Sequence, residues 1–218
     1  MMEVKEFVCN MLQENCYVVN DETGEAVVID CGAYFEDERE AIVEYIKSKN
    51  LKVRHLLCTH GHFDHCFGND TIWRAFDVKP EVSAKDEWLM DIGSQMRRMM
   101  GTSYDREVPP TGQLLNDGDV VRFGTHELKV METPGHTPGG VCYYCEEEKV
   151  VFTGDTLFHQ SIGRTDFERG SYTEIMKSLR TLARLPEDTT VYSGHGPRTT
   201  IGTELRCNPY LADAMRQP

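Results

Sequence analysis

Short β-branched runs at 4–9, 16–20 and 26–30 alternate with polar stretches, and Asp21, Glu22, Thr23 and Gly24 supply a hairpin turn between the second and third. The pattern predicts an antiparallel meander. Ile42, Tyr45 and Ile46 then recur at helical spacing behind Asp37 and Glu40, a capping-box pair, which predicts an amphipathic helix to about residue 50. A strand is expected at 53–59, helices at about 66–76 and 85–100, and then a loop carrying Pro109, Pro110 and Gly112.

Strand-like runs return at 120–123, 127–132, 141–145 and 150–153. Ser171, with Glu174 three residues on, opens a helix whose apolar stripe is Ile175, Leu179, Leu182 and Leu185, and 191–193 adds a strand. Strands and helices occur in both halves with no low-complexity tract between them. The simplest architecture is one α+β domain over 1–218, with two sheets flanked by helices.

Charge narrows the partners. With 23 basic against 36 acidic side chains the net charge is −13, which opposes binding to nucleic acid, where lysine and arginine must displace counterions. No apolar run approaches the roughly 18 residues of a membrane helix, and charge interrupts the opening MMEVKEFVCNMLQENC before a signal-peptide core forms. A cytoplasmic location off the membrane is expected, with the eight cysteines as reduced thiols. Cys142 and Cys145 form a CxxC inside a strand-like run without a second pair, and are read as structural.

The segment Thr59-His60-Gly61-His62-Phe63-Asp64-His65 concentrates the side chains that hold borderline divalent metals. An HxHxDH run arises by chance about 7 times in 10,000 chains of this composition. Continuing a strand, His60, His62 and Asp64 are expected to project to one side at period two while His65 points elsewhere from the next helix, so one loop feeds two metal positions. His136 in TPGHTPGG, Asp155 in FTGDT and His195 in SGHGP each follow a strand-like run. Glycines beside them permit tight turns, which allows these loops to meet at one sheet edge. That makes seven candidate ligands, enough for two metals. The chain has neither a GxSxG elbow nor a GxxxxGK[ST] phosphate loop.

These residues resemble the metallo-β-lactamase-fold hydrolases, and among them the short glyoxalase II-like (hydroxyacylglutathione hydrolase-like) branch. GRTD at 163–166, GHGPRTTIG from Gly194 and the later Asn208-Pro209-Tyr210 extend the likeness over nearly the whole chain. The resemblance implies a four-layer αββα sandwich. It also implies two divalent cations, zinc foremost with iron(II) or manganese(II) as alternatives. His60, His62 and His136 would hold the first, Asp64, His65 and His195 the second, and Asp155 would bridge them. The implied activity is hydrolysis of a small thioester by a hydroxide shared between the metals, with Asp64 and Asp155 as the catalytic carboxylates. The stretch after His195 is shorter than the helical region with which true glyoxalase II helps bind glutathione, so the identity of the thiol stays open.

Asp30 in VVIDCG reads either as an acceptor fixing an imidazole tautomer or as a turn residue bonding its own backbone. Arg164 reads as an anchor for a substrate anion or as a salt bridge to Asp166 that shapes its loop. His159 is close enough to Asp155 in sequence to touch substrate, whereas His55 and His126 read as bystanders. Met90, Met96, Met99 and Met100 near Trp88 read as core packing or as an adaptable lid, and Tyr104 and Tyr172 are left without a role. Three rival readings use the same residues: an iron persulfide dioxygenase-like sulfur oxygenase with His60, His136 and Asp155 on one iron, a hydrolase of lactones or other esters, β-lactams or RNA, and a non-catalytic metal-binding protein.

Overall fold

A computed structural model describes residues 1–216 of the chain as two compact units, one of Met1–Leu115 with Arg122–His126 and one of Asn116–Val121 with Glu127 onward. In the first unit β1 (Glu3–Cys9), β2 (Glu14–Asn20) and β3 (Glu25–Ile29) form the antiparallel meander that their alternation predicts. Helix α1 (Glu36–Ser48) returns the chain so that β4 (Lys52–Leu57) pairs parallel with β3. Helices α2 (Phe63–Cys66) and α3 (Asn69–Phe76), strand β5 (Pro80–Ser83), a 3-10 turn (Glu87–Met90), α4 (Ile92–Met99) and β6 (Leu114–Leu115) follow, giving the sheet order β1-β2-β3-β4-β5-β6.

Beyond lie β7 (Val120–Phe123), β8 (His126–Glu132), β9 (Val141–Cys145) and β10 (Val150–Gly154), then the two-residue strands β11 (Leu157–Phe158) and β12 (Ser161–Ile162). Helix α5 (Tyr172–Leu182), β13 (Thr190–Ser193), β14 (Thr199–Thr200), α6 (Ile201–Cys207) and α7 (Pro209–Arg216) complete the described chain. The second large sheet has the order β14-β13-β10-β9-β8-β7, with β10 and β13 parallel. Two sheets with interspersed helices give the mixed α/β content expected.

Each unit has its own apolar interior. In the first, Val18, Val28, Ile42, Ile46, Leu56 and Ile72 pack together, and Phe63, Phe67, Val82, Met90 and Met96 form a second cluster beside the 59–65 loop. In the second, the α5 stripe of Ile175, Leu179 and Leu182 meets Val151, Val191 and Leu211. Burying this apolar surface is what drives strands with such short hydrogen-bonded runs to assemble. Met90 and Met96 are therefore core, while Met99 and Met100 are exposed.

Several local expectations are corrected. Helix α1 is stapled by Glu38 rather than by an Asp37–Glu40 box: its carboxylate accepts from the Tyr34 and Phe35 amides at 2.9 and 3.1 Å and from the Asn10 amide at 2.7 Å. The helix expected at 66–76 divides around Gly68, which packs so close to Cys31 that a Cβ there would lie 2.5 Å from its Sγ, and the one expected at 85–100 becomes a 3-10 turn and a separate helix. The Ser171 cap is present, accepting from the Glu174 amide at 3.3 Å.

Asp21 closes the turn after β2. Burial on its own would raise its carboxyl pKa, but the Thr125 and Thr23 amides, both threonine hydroxyls and His126 Nδ1–H converge on it and hold it well below the usual carboxylate range. A depressed folded-state pKa gives stability above the unfolded value that fades as pH falls through the folded one. Asp21→Asn should therefore cost about 2 kcal/mol in urea denaturation at pH 7, and the gap to wild type should narrow steadily below about pH 4.

Candidate metal site

In the first unit the ligand-rich loop follows β4, and its geometry is set by Asp30, which stands just past β3 with φ 50°. Its carboxylate is buried and accepts from the Thr59 amide (Oδ1) and the Thr59 hydroxyl (Oδ2), both at 2.7 Å. Since that hydroxyl gives its proton to Asp30, its oxygen accepts from His60 Nδ1–H at 3.0 Å, while His65 Nδ1–H donates to Asp30 Oδ2 at 3.1 Å. One carboxylate thus fixes two imidazole tautomers, directly for His65 and through Thr59 for His60, and directs the lone pair to Nε2 in each. The turn alternative is not what the side chain does.

The His60 ring centroid lies 4.8 Å from that of His62 and 4.2 Å from that of His65, and Asp64 Oδ2 stands 3.8 Å from His65 Nε2. All four side chains are buried. Asp64 does not continue a period-two projection: Phe63–Cys66 is a helical turn, so Asp64 and His65 leave the loop with helical geometry.

Residues without chemistry of their own hold this loop. Asn10 Nδ2 donates to the Gly32 and Asp64 carbonyls at 2.8 and 3.0 Å, and Gln95 Nε2 donates to the Gly61 carbonyl at 2.7 Å. A Cβ on Gly61 would lie 2.5 Å from Leu89 Cβ, so only glycine lets the loop pass. The buried Arg39 guanidinium binds the Phe67 carbonyl and Asp70 Oδ1 at 2.6 Å and the Thr71 hydroxyl at 2.5 Å. Glu14 is wholly buried 3.8 Å from His65 Nδ1, and burial pushes its carboxyl well above the usual range against the pull of His65.

In the second unit His136, Asp155 and His195 come together. His136 Nδ1–H donates to the Arg164 carbonyl at 2.7 Å, which leaves Nε2 to face Asp155 Oδ2 at 3.4 Å, and His195 Nε2 lies 3.7 Å from the same oxygen. These separations are long for hydrogen bonds. Two donors each about 2.1 Å from one tetrahedral cation stand about 3.4 Å apart, so the trio has the spacing of ligands. A register shift between Phe152 and Gly154 precedes Asp155 and re-aims it. The Gly163 position is filled to contact: a Cβ there would lie 1.8 Å from the Asp155 carbonyl oxygen and 3.1 Å from His136 Nδ1. The His136 loop is clamped to α5 by Ser171 N–H to the Gly135 carbonyl at 2.8 Å and Ser178 Oγ to the Pro134 carbonyl at 2.7 Å.

Imidazole and carboxylate donors of this type, with Nδ1 engaged and Nε2 presented, fit a zinc, iron(II) or manganese(II) ion. Residues 9–195 match the model of the metallo-beta-lactamase superfamily. The chain belongs to that superfamily. The metallo-beta-lactamase fold relatives include the hydroxyacylglutathione hydrolase GloC of Haemophilus influenzae, 34% identical and covering 96% of this chain and 98% of that one. The crystal structure of the BLEG-1 B3 metallo-beta-lactamase is 36% identical with a TM-score of 0.88, covering 97% of this chain and 99% of that one. The structure of TTHA1623 in a di-iron-bound form is 34% identical with a TM-score of 0.83, covering 95% and 100%.

Other expected residues fall in place as follows. The Arg164 guanidinium pairs with both Asp166 oxygens at 2.6 Å, holds that carboxyl down at about 2, and lies over the Phe167 ring, whose edge meets His136. His55 binds Glu81 at 2.7 Å, and Tyr104 donates to the Phe67 carbonyl at 2.8 Å. Cys142 and Cys145 are both buried free thiols. Sequence reasoning missed Glu14, Asn10, Arg39 and Gln95. The one signal for the first two is their place in the NMLQENC turn, where polar residues interrupt an apolar run.

Because Asp30 orients both His60 and His65, Asp30→Ala should weaken metal affinity about 10- to 100-fold in competition with a chelator, while His55→Ala leaves affinity within twofold of wild type.

Proposed function

We propose that this metallo-beta-lactamase superfamily member is a thioester hydrolase, with residues 1–218 as one domain carrying a two-metal centre. His60, His62 and His136 hold one divalent cation, Asp64, His65 and His195 the other, and Asp155 lies between. The observation that carries the reading is the Asp155 carboxylate set at ligand spacing from two imidazoles, 3.4 Å from His136 Nε2 and 3.7 Å from His195 Nε2. When bound, two such cations supply Lewis acidity toward water and toward a carbonyl oxygen.

The chain's own residues do the rest. Asp64 orients the attacking water and takes up its proton on the carboxylate oxygen it does not commit as a ligand, while Asp155 would keep the two donor sets in register for the reaction. Phe167 packs T-shaped against His136 and Phe158 against His195, so half-buried aromatic rings flank the second trio. A thiol's pKa near 8.5 lets a thiolate leave without a general acid, which suits a site with no such group assigned.

Thioesters rank first because the Haemophilus influenzae hydroxyacylglutathione hydrolase matches across nearly both chains. The substrate in this reading is a small molecule, since net charge −13 disfavours a nucleic acid, and the proposed compartment is the cytoplasm. β-Lactam hydrolysis is the second reading, supported by the 36% identity to a B3 metallo-beta-lactamase. The di-iron form of TTHA1623 supports iron beside zinc as the resident metal.

A panel of thioesters, lactones, β-lactams and persulfides, run on protein with its metal counted, separates these readings. Two metals per chain and hydrolysis of thioesters, abolished by chelation and lowered at least about 100-fold by His60→Ala or Asp155→Ala, are expected. One iron per chain with oxygen uptake on persulfide, or turnover confined to β-lactams, would overturn the thioesterase reading.

A further inference from the structure

The second unit carries polar features that the metal ligands do not use. At the β11–β12 tip the buried Glu204 carboxylate accepts from the Gln160 amide at 2.7 Å and from His159 Nδ1–H at 3.1 Å, which fastens the hairpin to α6. Another feature lies where α5 stops covering its sheet. The helix ends at Leu182, and the chain turns away through Leu185 and Pro186, with the Leu185 amide on the Leu182 carbonyl at 3.0 Å and the Thr189 amide on the Pro186 carbonyl at 2.9 Å. A cavity of about 420 Å³ remains between this turn and the β8–β9 pair.

Lys129 on β8 and Tyr144 on β9 stand directly opposite each other, so both side chains rise on this face, with Met131 two residues along from Lys129. Met131, Leu185 and the Tyr144 ring belong to the α5 cluster and give the cavity apolar walls. Its polar groups are uncommitted. Tyr144 is 8% exposed, yet its hydroxyl lines the cavity without a hydrogen bond among the described residues. Thr189 bears on that phenol without reaching hydrogen-bond distance, and its own hydroxyl is buried and unbonded. Burial pushes the Tyr144 phenol up, so it keeps its proton and offers a donor. Lys129 has no carboxylate partner and Glu146 no cationic one among the described residues, although both line the same cavity. At the rim Lys149 is taken by Asp188 at 2.5 Å. Buried or half-enclosed polar groups left unpaired by the protein call for a partner from outside it.

We propose that this cavity binds a free α-amino acid with an apolar side chain. The ligand carboxylate meets the Lys129 ammonium and the Tyr144 hydroxyl, its ammonium meets Glu146, and its side chain lies against Met131, Leu185 and Pro186. A plain organic anion would leave Glu146 unpaired beside it, and a plain amine would do the same to Lys129. The volume stands at the small end of the roughly 300–1,000 Å³ that ligand clefts span, which suits a single amino acid rather than a longer peptide. None of the lining residues is a candidate metal ligand, so the site is independent of the thioesterase reading.

NMR titration of the full-length protein tests this with L-phenylalanine as the probe, beside 3-phenylpropionate, which lacks the ammonium, and phenethylamine, which lacks the carboxylate. Phenylalanine is expected to shift the Tyr144 ring and Met131 methyl resonances saturably, and each analogue to bind at least about tenfold more weakly. Lys129 and Glu146 are exposed, so their replacement leaves the packing intact. Lys129→Gln should weaken phenylalanine about tenfold and leave phenethylamine unchanged, whereas Glu146→Gln should weaken phenylalanine to a similar degree and leave 3-phenylpropionate unchanged. The absence of any saturable shift up to about 20 mM phenylalanine overturns the proposal, as do affinities that neither substitution moves. Binding of 3-phenylpropionate as tight as that of phenylalanine overturns it too, in favour of a simple anion site.

Discussion

Imidazoles and carboxylates buried at the ends of strands lose their hydration, and they keep a usable geometry only if one face of each is committed to the protein. The Nδ1 hydrogen bond meets that constraint in both units. Asp30 engages His65 and, through Thr59, His60, while the Arg164 carbonyl engages His136. Each bond costs the chain an acceptor and gains a nitrogen lone pair with a fixed direction. A rotatable imidazole would sample orientations useless to a cation.

Those acceptors are themselves held by packing at places with no tolerance. Asp30 is in the left-handed region directly after a wholly buried part of β3, and Gly163 leaves no room for a methyl group against the Asp155 carbonyl. The α5 helix, fixed by its apolar stripe, contributes the two hydrogen bonds that pin the loop bearing His136. Hydrophobic burial thus reaches the chemistry through backbone carbonyls rather than through side chains.

Long periodic elements and dense ligand motifs are legible in the sequence. The meander, α1, α5 and the strands at 120–153 follow from alternation or helical spacing, and His60, His62, Asp64 and His65 announce themselves by crowding. The illegible parts have physical reasons. Two-residue strands such as β11 and β12 carry no period, and the helical turn that takes up Asp64 and His65 is set by packing of Phe63, Cys66 and Phe67 in a tertiary cluster. Charged residues with interior roles are the hardest: Glu14, Arg39 and Glu204 are wholly or almost wholly buried, yet each looks like surface polarity in a chain that is 27% charged.

Arg39 and Asp70 illustrate what such interior charges impose over evolutionary time. Arg39 without Asp70, stranded behind the Phe67–Thr71 backbone, is worse than the loss of both, because a lone buried ion keeps its desolvation cost without its counterpart, whereas Asp70 without Arg39 still has Arg106 3.5 Å away. Drift at these positions is therefore asymmetric: the aspartate outlasts the arginine, and descendants that lose the aspartate are expected to have exchanged the arginine as well.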